Sequence, residues 1–256
     1  MTTVTRSAIA GMIAIAMIGA AAAVSAGTPA ADPDALKTLK KMTDYLGGLQ
    51  SFSMHTENTF EEVLDSGQKI QYDFASSVVI RRPDRLRAER VDAYVNQVVA
   101  YDGERLSVYE GSEDLFASIS APDNLDDLLH FSRDALDLVP PAGDMVFTNA
   151  YELLTTGLTS GVVVGKAVVG GISCTQLAFT NPLVDFQIWV ADGDKPLPVK
   201  YVLTTRDDPM HPQYVALISS WNIDPMIPDG LFNIKIPATA TMTEFVFIDA
   251  DFDSVE

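Results

Sequence analysis

From about residue 51 onward one feature recurs. Short segments alternate apolar and polar residues with a period of two, and turns containing Gly, Pro or Asp separate them. The longest example is KIQYDFASSVVIRR. Ile70, Tyr72, Phe74, Val78 and Ile80 fall on one face, and Gln71, Asp73, Ser77 and Arg81 on the other. SFSMHTENTF before it alternates more loosely, with Phe52, Met54 and Phe60 in phase, and Asp65-Ser66-Gly67 turns between the two. RLRAERVDA, QVVAYDGERLSVYEG and LFASIS continue the series, with Asp102-Gly103 a candidate type I′ hairpin turn. After residue 160 the pattern resumes in VVVGKAVVGG, SCTQLAFT, VDFQIWVAD, LPVKYVLTT, QYVALISSWN, LFNIKI and TEFVFID. These make about eleven strands joined by hairpins, with no strand–helix–strand rhythm. A chain of this kind folds into an antiparallel sheet.

Helical spacing interrupts the series in three places. Asp32-Pro33 has the form of a cap and a first-turn proline. Leu36, Leu39, Met42, Leu46 and Leu49 then predict an amphipathic helix from about Pro33 to Leu46, stopped at Gly47-Gly48. APDNLDDLLHFSRDALDLVPP predicts a second helix, capped by Asp123 and ended by Pro140-Pro141. A third is expected over about Asp144 to Leu158.

The chain has 256 residues, of which 47% are hydrophobic, enough for a sizeable core. No linker composition and no repeat divides it, so residues 27–248 are expected to form one domain, with residues 249–256 an acidic tail. Residues 1–26 read as a secretory signal peptide. Arg6 precedes an uncharged Ala-, Ile- and Met-rich run, and Val24-Ser25-Ala26 fits a small-residue cleavage pattern. An uncleaved anchor is the alternative. The formal net charge of −18 argues against nucleic acid, whose phosphates need a basic face.

Catalytic and metal motifs are few. His55, His130 and His211 are far apart in sequence and have neither an i+4 histidine nor a cysteine partner. In GLTSG, Ser160 is displaced by one from a nucleophile elbow. Cys174 lies among apolar strand neighbours, where a buried, inert thiol is expected. Asp249, Asp251 and Asp253 lack the glycine and glutamate of a calcium loop. Asp126-Asp127 suits the start of a helix better than acid–base work. No catalytic residue, metal or cofactor is assigned. RRPDRLRAER stands out, because Arg81, Arg82, Arg85, Arg87 and Arg90 are five of only 17 basic residues. They make either an ordinary charged rim or a docking patch for an anionic group.

Taken in order, RRPDRLR, VAYDGERLSVYE, ISCTQLAF, VDFQIWVADGDKPLPVKYVLTT, HPQYVALISSWNIDP and GLFNIKIPATA resemble a family of predicted bacterial periplasmic proteins of unknown function. That family is grouped with the LolA- and LolB-like lipoprotein carriers. Its members often carry Trp where this chain has Phe186, and His where it has Gln176. The resemblance implies a mainly β (α+β) fold. It is a single curved, incompletely closed antiparallel half-barrel of about eleven strands, with helices on the concave face.

Such a sheet can leave a cavity under its helices. The residues expected to contact a ligand there are Phe74, Val78, Arg87, Trp189, Tyr201 and Trp221. The three late aromatics can equally be core, and alternation leaves open whether Trp189 or the set Phe186, Ile188 and Val190 faces inward. The function implied is an exported binding or carrier protein for a lipid, acyl chain or lipidated protein. A periplasmic interaction or sensing module, contacting an envelope protein through the arginine cluster or a sheet edge, is the alternative. No stable membrane insertion is expected after leader cleavage, and nothing points to an enzyme.

Overall fold

The computed structural model describes residues 31–136 and 143–245. The residues read as a leader (1–26), Pro140-Pro141, most of TEFVFID and the residues read as an acidic tail (249–256) lie outside the described residues. Helix α1 (Pro33–Gly48) begins as its sequence predicts. Asp32 caps it, its Oδ1 accepting from the Asp34 N–H at 2.8 Å, and Pro33 fills the first turn. Ala35, Leu39, Met42 and Leu46 form its buried face. Gly47 stays helical where a stop was expected. A Cβ there would stand 3.1 Å from the Thr148 carbonyl oxygen, so glycine lets the helix end touch the later loop.

Six strands follow in hairpin succession: β1 (Ser51–Val63), β2 (Lys69–Arg81), β3 (Arg85–Val91), β4 (Asn96–Tyr101), β5 (Arg105–Glu110) and β6 (Leu115–Ser120). The β4–β5 turn is not of type I′. Its two central residues are Gly103 and Glu104, and of these only Gly103 has positive φ (+93°). The Asp102 carboxylate fixes it instead, accepting from the N–H groups of Glu104 and Arg105 at 3.1 and 2.8 Å.

Helix α2 (Leu125–Leu136) is capped by Asn124 rather than Asp123. The Asn124 Oδ1 accepts from the Asp127 N–H at 2.9 Å. The long third helix does not form. A 3₁₀ turn (Gly143–Met145) and a short α3 (Ala150–Thr155) stand in its place. The backbone between them bonds elsewhere: Arg82 donates to the Val146 carbonyl at 2.5 Å, and Asp126 accepts from the Thr148 N–H at 3.0 Å. Those bonds compete with helix continuation.

The second meander is β7 (Ser160–Val169), β8 (Ile172–Thr180), β9 (Val184–Ala191), β10 (Pro198–Thr205) and β11 (Gln213–Asn222). β11 pairs with β1 and so joins the two halves into one sheet, in the order β12-β6-β5-β4-β3-β2-β1-β11-β10-β9-β8-β7. The sheet stays open, with β7 and β12 at its two ends. The twelfth strand, β12 (Thr241–Met242), pairs parallel to β6, so the sheet is mixed rather than wholly antiparallel. LFNIKI is not a strand. Burial still alternates along it, but it starts in a 3₁₀ turn (Asp229–Phe232) and has no strand partner among the described residues.

The core has two inner clusters and an outer one. In the first, α1 covers β8 to β11 through Leu39, Met42, Phe179, Phe186 and Tyr201. In the second, α2 and the segment Val146–Ala150 cover β1, β2, β4 and β5 through Phe52, Ile80, Tyr101, Leu106 and Leu128. The outer cluster is Cys174, Trp189, Val199 and Val202.

Candidate functional site

A cavity of about 190 Å³ lies where the two inner clusters fail to meet. Its floor is the inward face of β1 to β5 and β11, and its roof is α2 with the turn at Gly143 and Met145. Strand pairing arranges the floor in rows. Phe52, Ile80, Leu86 and Tyr101 stand side by side, and Met54, Val78, Ala88 and Val99 form the next row. Both rows are apolar. The third is not: it runs Thr56, Ser76, Arg90, Gln97. Beyond it the fourth begins with Phe74 and Asn58. Along its length the floor thus changes from hydrocarbon to hydrogen-bonding groups.

Asn58 holds the polar end together. Its Nδ2 donates to the Thr56 hydroxyl at 2.8 Å and to the Phe74 carbonyl at 3.2 Å. Its Oδ1 accepts from the Tyr214 hydroxyl at 2.6 Å. Arg90 lies over the Phe74 ring, 4.4 Å from its centroid, and its charge is met by Asp92 at 2.9 Å.

Of the residues expected to touch a ligand, Phe74, Val78 and Trp221 line this cavity. The other three do not. Arg87 lies on the opposite face of β3 from Leu86 and Ala88. It pairs with Glu89 at 2.7 Å and donates to the Leu231 carbonyl at 3.1 Å. Trp189 faces outward, packed with Val199 and Val202 under the Lys200 ammonium, which is 4.8 Å from the ring. Phe186, Ile188 and Val190 are the inward set of β9. The apolar load of the β9–β10 hairpin is therefore covered on both faces, by α1 inside and by its own outer cluster. Tyr201 does face inward, but in the filled core beside Phe186.

The arginine cluster is taken up within the molecule. Arg81 pairs with Asp229 at 2.7 Å and lies over Phe232, Arg85 pairs with Asp84 at 2.8 Å, and Arg82 bonds the Val146 carbonyl. Arg81 and Arg87 fasten the 3₁₀ turn before β12 to the sheet, and Arg82 fastens the loop before α3. His130 packs on the Phe147 ring at 4.8 Å. Burial raises the Cys174 thiol's pKa, which suits the inert role expected for it. Among the described residues, no group of three or more His, Cys, Asp and Glu side chains is placed to hold a metal ion. No helix among them is long and apolar enough to cross a membrane.

Three tyrosines give the fold an alkaline limit. Burial, then the Asp84 and Asp123 carboxylates, push Tyr101 up to about 12. Burial also raises Tyr201 well above the ordinary value, and raises Tyr214. A phenol with a raised folded pKa contributes stability that is whole below the unfolded value near 10 and is lost as pH climbs toward the folded one. Denaturant midpoints are expected to hold to about pH 10 and then fall steeply toward pH 12. Tyr214→Phe should make that fall shallower. A flat midpoint across the window would show that these hydroxyls ionise without unfolding.

Residues 35–246 match a sequence-family model described as "Predicted periplasmic protein (DUF2092)", and the chain belongs to that family. Several solved structures are similar to it. Lipoprotein LppX of Mycobacterium tuberculosis is 19% identical, with 76% of this chain and 100% of that one covered at a TM-score of 0.46. LprF from Mycobacterium bovis is 13% identical, with 84% and 100% covered at a TM-score of 0.47. A LolA superfamily protein from Nitrosomonas europaea is 13% identical, with 82% and 99% covered at a TM-score of 0.39. A comparison with curated proteins gave no match.

Proposed function

We propose that the protein is an exported periplasmic carrier or binding protein that holds the hydrocarbon part of a lipid or lipidated protein between sheet and helices. One observation carries this reading: the concave face is apolar over two full rows, yet the side chains around it leave about 190 Å³ unfilled. Protein interiors are packed nearly as densely as organic crystals, and leaving such a space lined but empty costs stability. An engineered apolar cavity of ~150 Å³ takes up benzene, so this one has room for one acyl chain segment and not for several chains. Each methylene buried contributes about 0.8 kcal/mol, with no charged contact needed.

A length series tests the reading. Displacement of a fluorescent apolar dye by single-chain lipids should strengthen about fourfold per added methylene, then level off once the space is filled. Affinity that ignores chain length, or a dye that does not bind, would remove the carrier.

A protein-partner role has one observation in its favour. Edge strand β7 exposes Val162, Val164 and Val168 and, among the described residues, has a strand neighbour, β8, on one side only. Val164→Glu should abolish a partner contact made there and leave dye binding unchanged.

A further inference from the structure

Two polar side chains on opposite walls of the cavity bear on what enters it. Gln97 projects from β4 in the floor, and Ser132 from α2 in the roof. Each is 7% exposed. Neither the Gln97 amide nor the Ser132 hydroxyl has a hydrogen-bond partner among the described residues. Neither polar end is among the side-chain atoms sealed from solvent without a partner, so both open onto the cavity they line. Asn58, nearby, is engaged at both ends. The two unengaged groups thus mark a place left for something else to bond.

The charge of the surroundings narrows its nature. The guanidinium in this row, Arg90, already has Asp92 at 2.9 Å. Glu110 pairs with Gln97 across the β4–β5 ladder and is 5% exposed, its carboxylate accepting from the Asn96 N–H at 3.2 Å. An ionised carboxylate or phosphate would meet neutral donors and an Arg90 charge that Asp92 already offsets, with the Glu110 carboxylate on the strand beside Gln97. A hydroxyl, ester or amide meets the amide and hydroxyl without an unmatched charge.

We infer that the cavity selects a single-chain amphiphile with an uncharged, hydrogen-bonding head, of the monoacylglycerol or acyl-amide type. The head sits between Gln97 and Ser132, and the chain runs over the apolar rows that end at Phe52 and Leu86. This rests on the cavity being a ligand site.

The test compares monodecanoylglycerol with decanoate as displacers of phenylnaphthylamine from the full chain, expressed with its own leader. The glyceride should act at about tenfold lower concentration, the worth of one or two hydrogen bonds. Gln97→Leu should bring the two displacers within about twofold of each other by weakening the glyceride alone. Ser132→Ala, from the other wall, should show the same narrowing and guards against a folding defect in the first variant. Decanoate binding as well as the glyceride, or a preference that survives both variants, overturns this inference and leaves the cavity as a hydrocarbon site. A dye that never binds the parent chain overturns both.

Discussion

Ala88→Phe should abolish ligand uptake without harming the fold. Ala88 sits on the cavity floor in the row with Val78 and Val99, and its methyl faces the unfilled space. A phenyl ring takes most of a cavity only somewhat larger than one that accepts benzene. Extra bulk normally destabilises a packed core, but here the volume is vacant, and aromatic residues suit strands. Affinity for an apolar dye should fall by roughly a few hundredfold, the worth of about four displaced methylenes. The thermal midpoint should hold or rise, as in other cavity-filling replacements. Unchanged dye affinity in a folded Ala88→Phe protein would place the site elsewhere.

Asn58→Ala should destabilise the fold by about 2–4 kcal/mol, a large loss for one polar side chain. Asn58 is 3% exposed and bridges β1 to β2 and β11 through Thr56, Phe74 and Tyr214. Truncation frees the Tyr214 hydroxyl in a site where burial already holds that phenol protonated to higher pH than usual. The effect should therefore depend on Tyr214. In a double-mutant cycle with Tyr214→Phe, the two losses should be non-additive by about 1–3 kcal/mol. Full additivity by denaturant unfolding would show that the 2.6 Å bond contributes little.

Much of the fold is legible in the sequence because period-two alternation and turn residues are local signals. Eleven of the twelve strands lie on segments that alternate, even where DSG or DGDKP does the turning. What fails depends on partners far away in sequence. LFNIKI alternates as well as any strand does, but arginines from β2 and β3 hold its start in a 3₁₀ turn. The third helix is lost to bonds from Arg82 and Asp126, a constraint that no local window carries.

The site is half legible for a related reason. Phase on a long strand finds Phe74 and Val78, whereas size alone singles out Trp189, which lies on the wrong face. The polar end of the floor is present in the sequence as lapses of pattern. Thr56 and Asn58 share the phase of Phe52, Met54 and Phe60, Ser76 falls between Phe74 and Val78, and Gln97 precedes Val99 and Tyr101 in step. Each lapse alone looks like loose alternation. Only the strand register shows that they lie side by side.

Whether the cavity carries a passenger is decided by native mass spectrometry of the protein purified from the envelope of its own host. One bound single-chain lipid per polypeptide is expected, released on activation and missing from Ala88→Phe. A polypeptide that is bare on isolation, and stays bare when offered monodecanoylglycerol, would rule out the carrier.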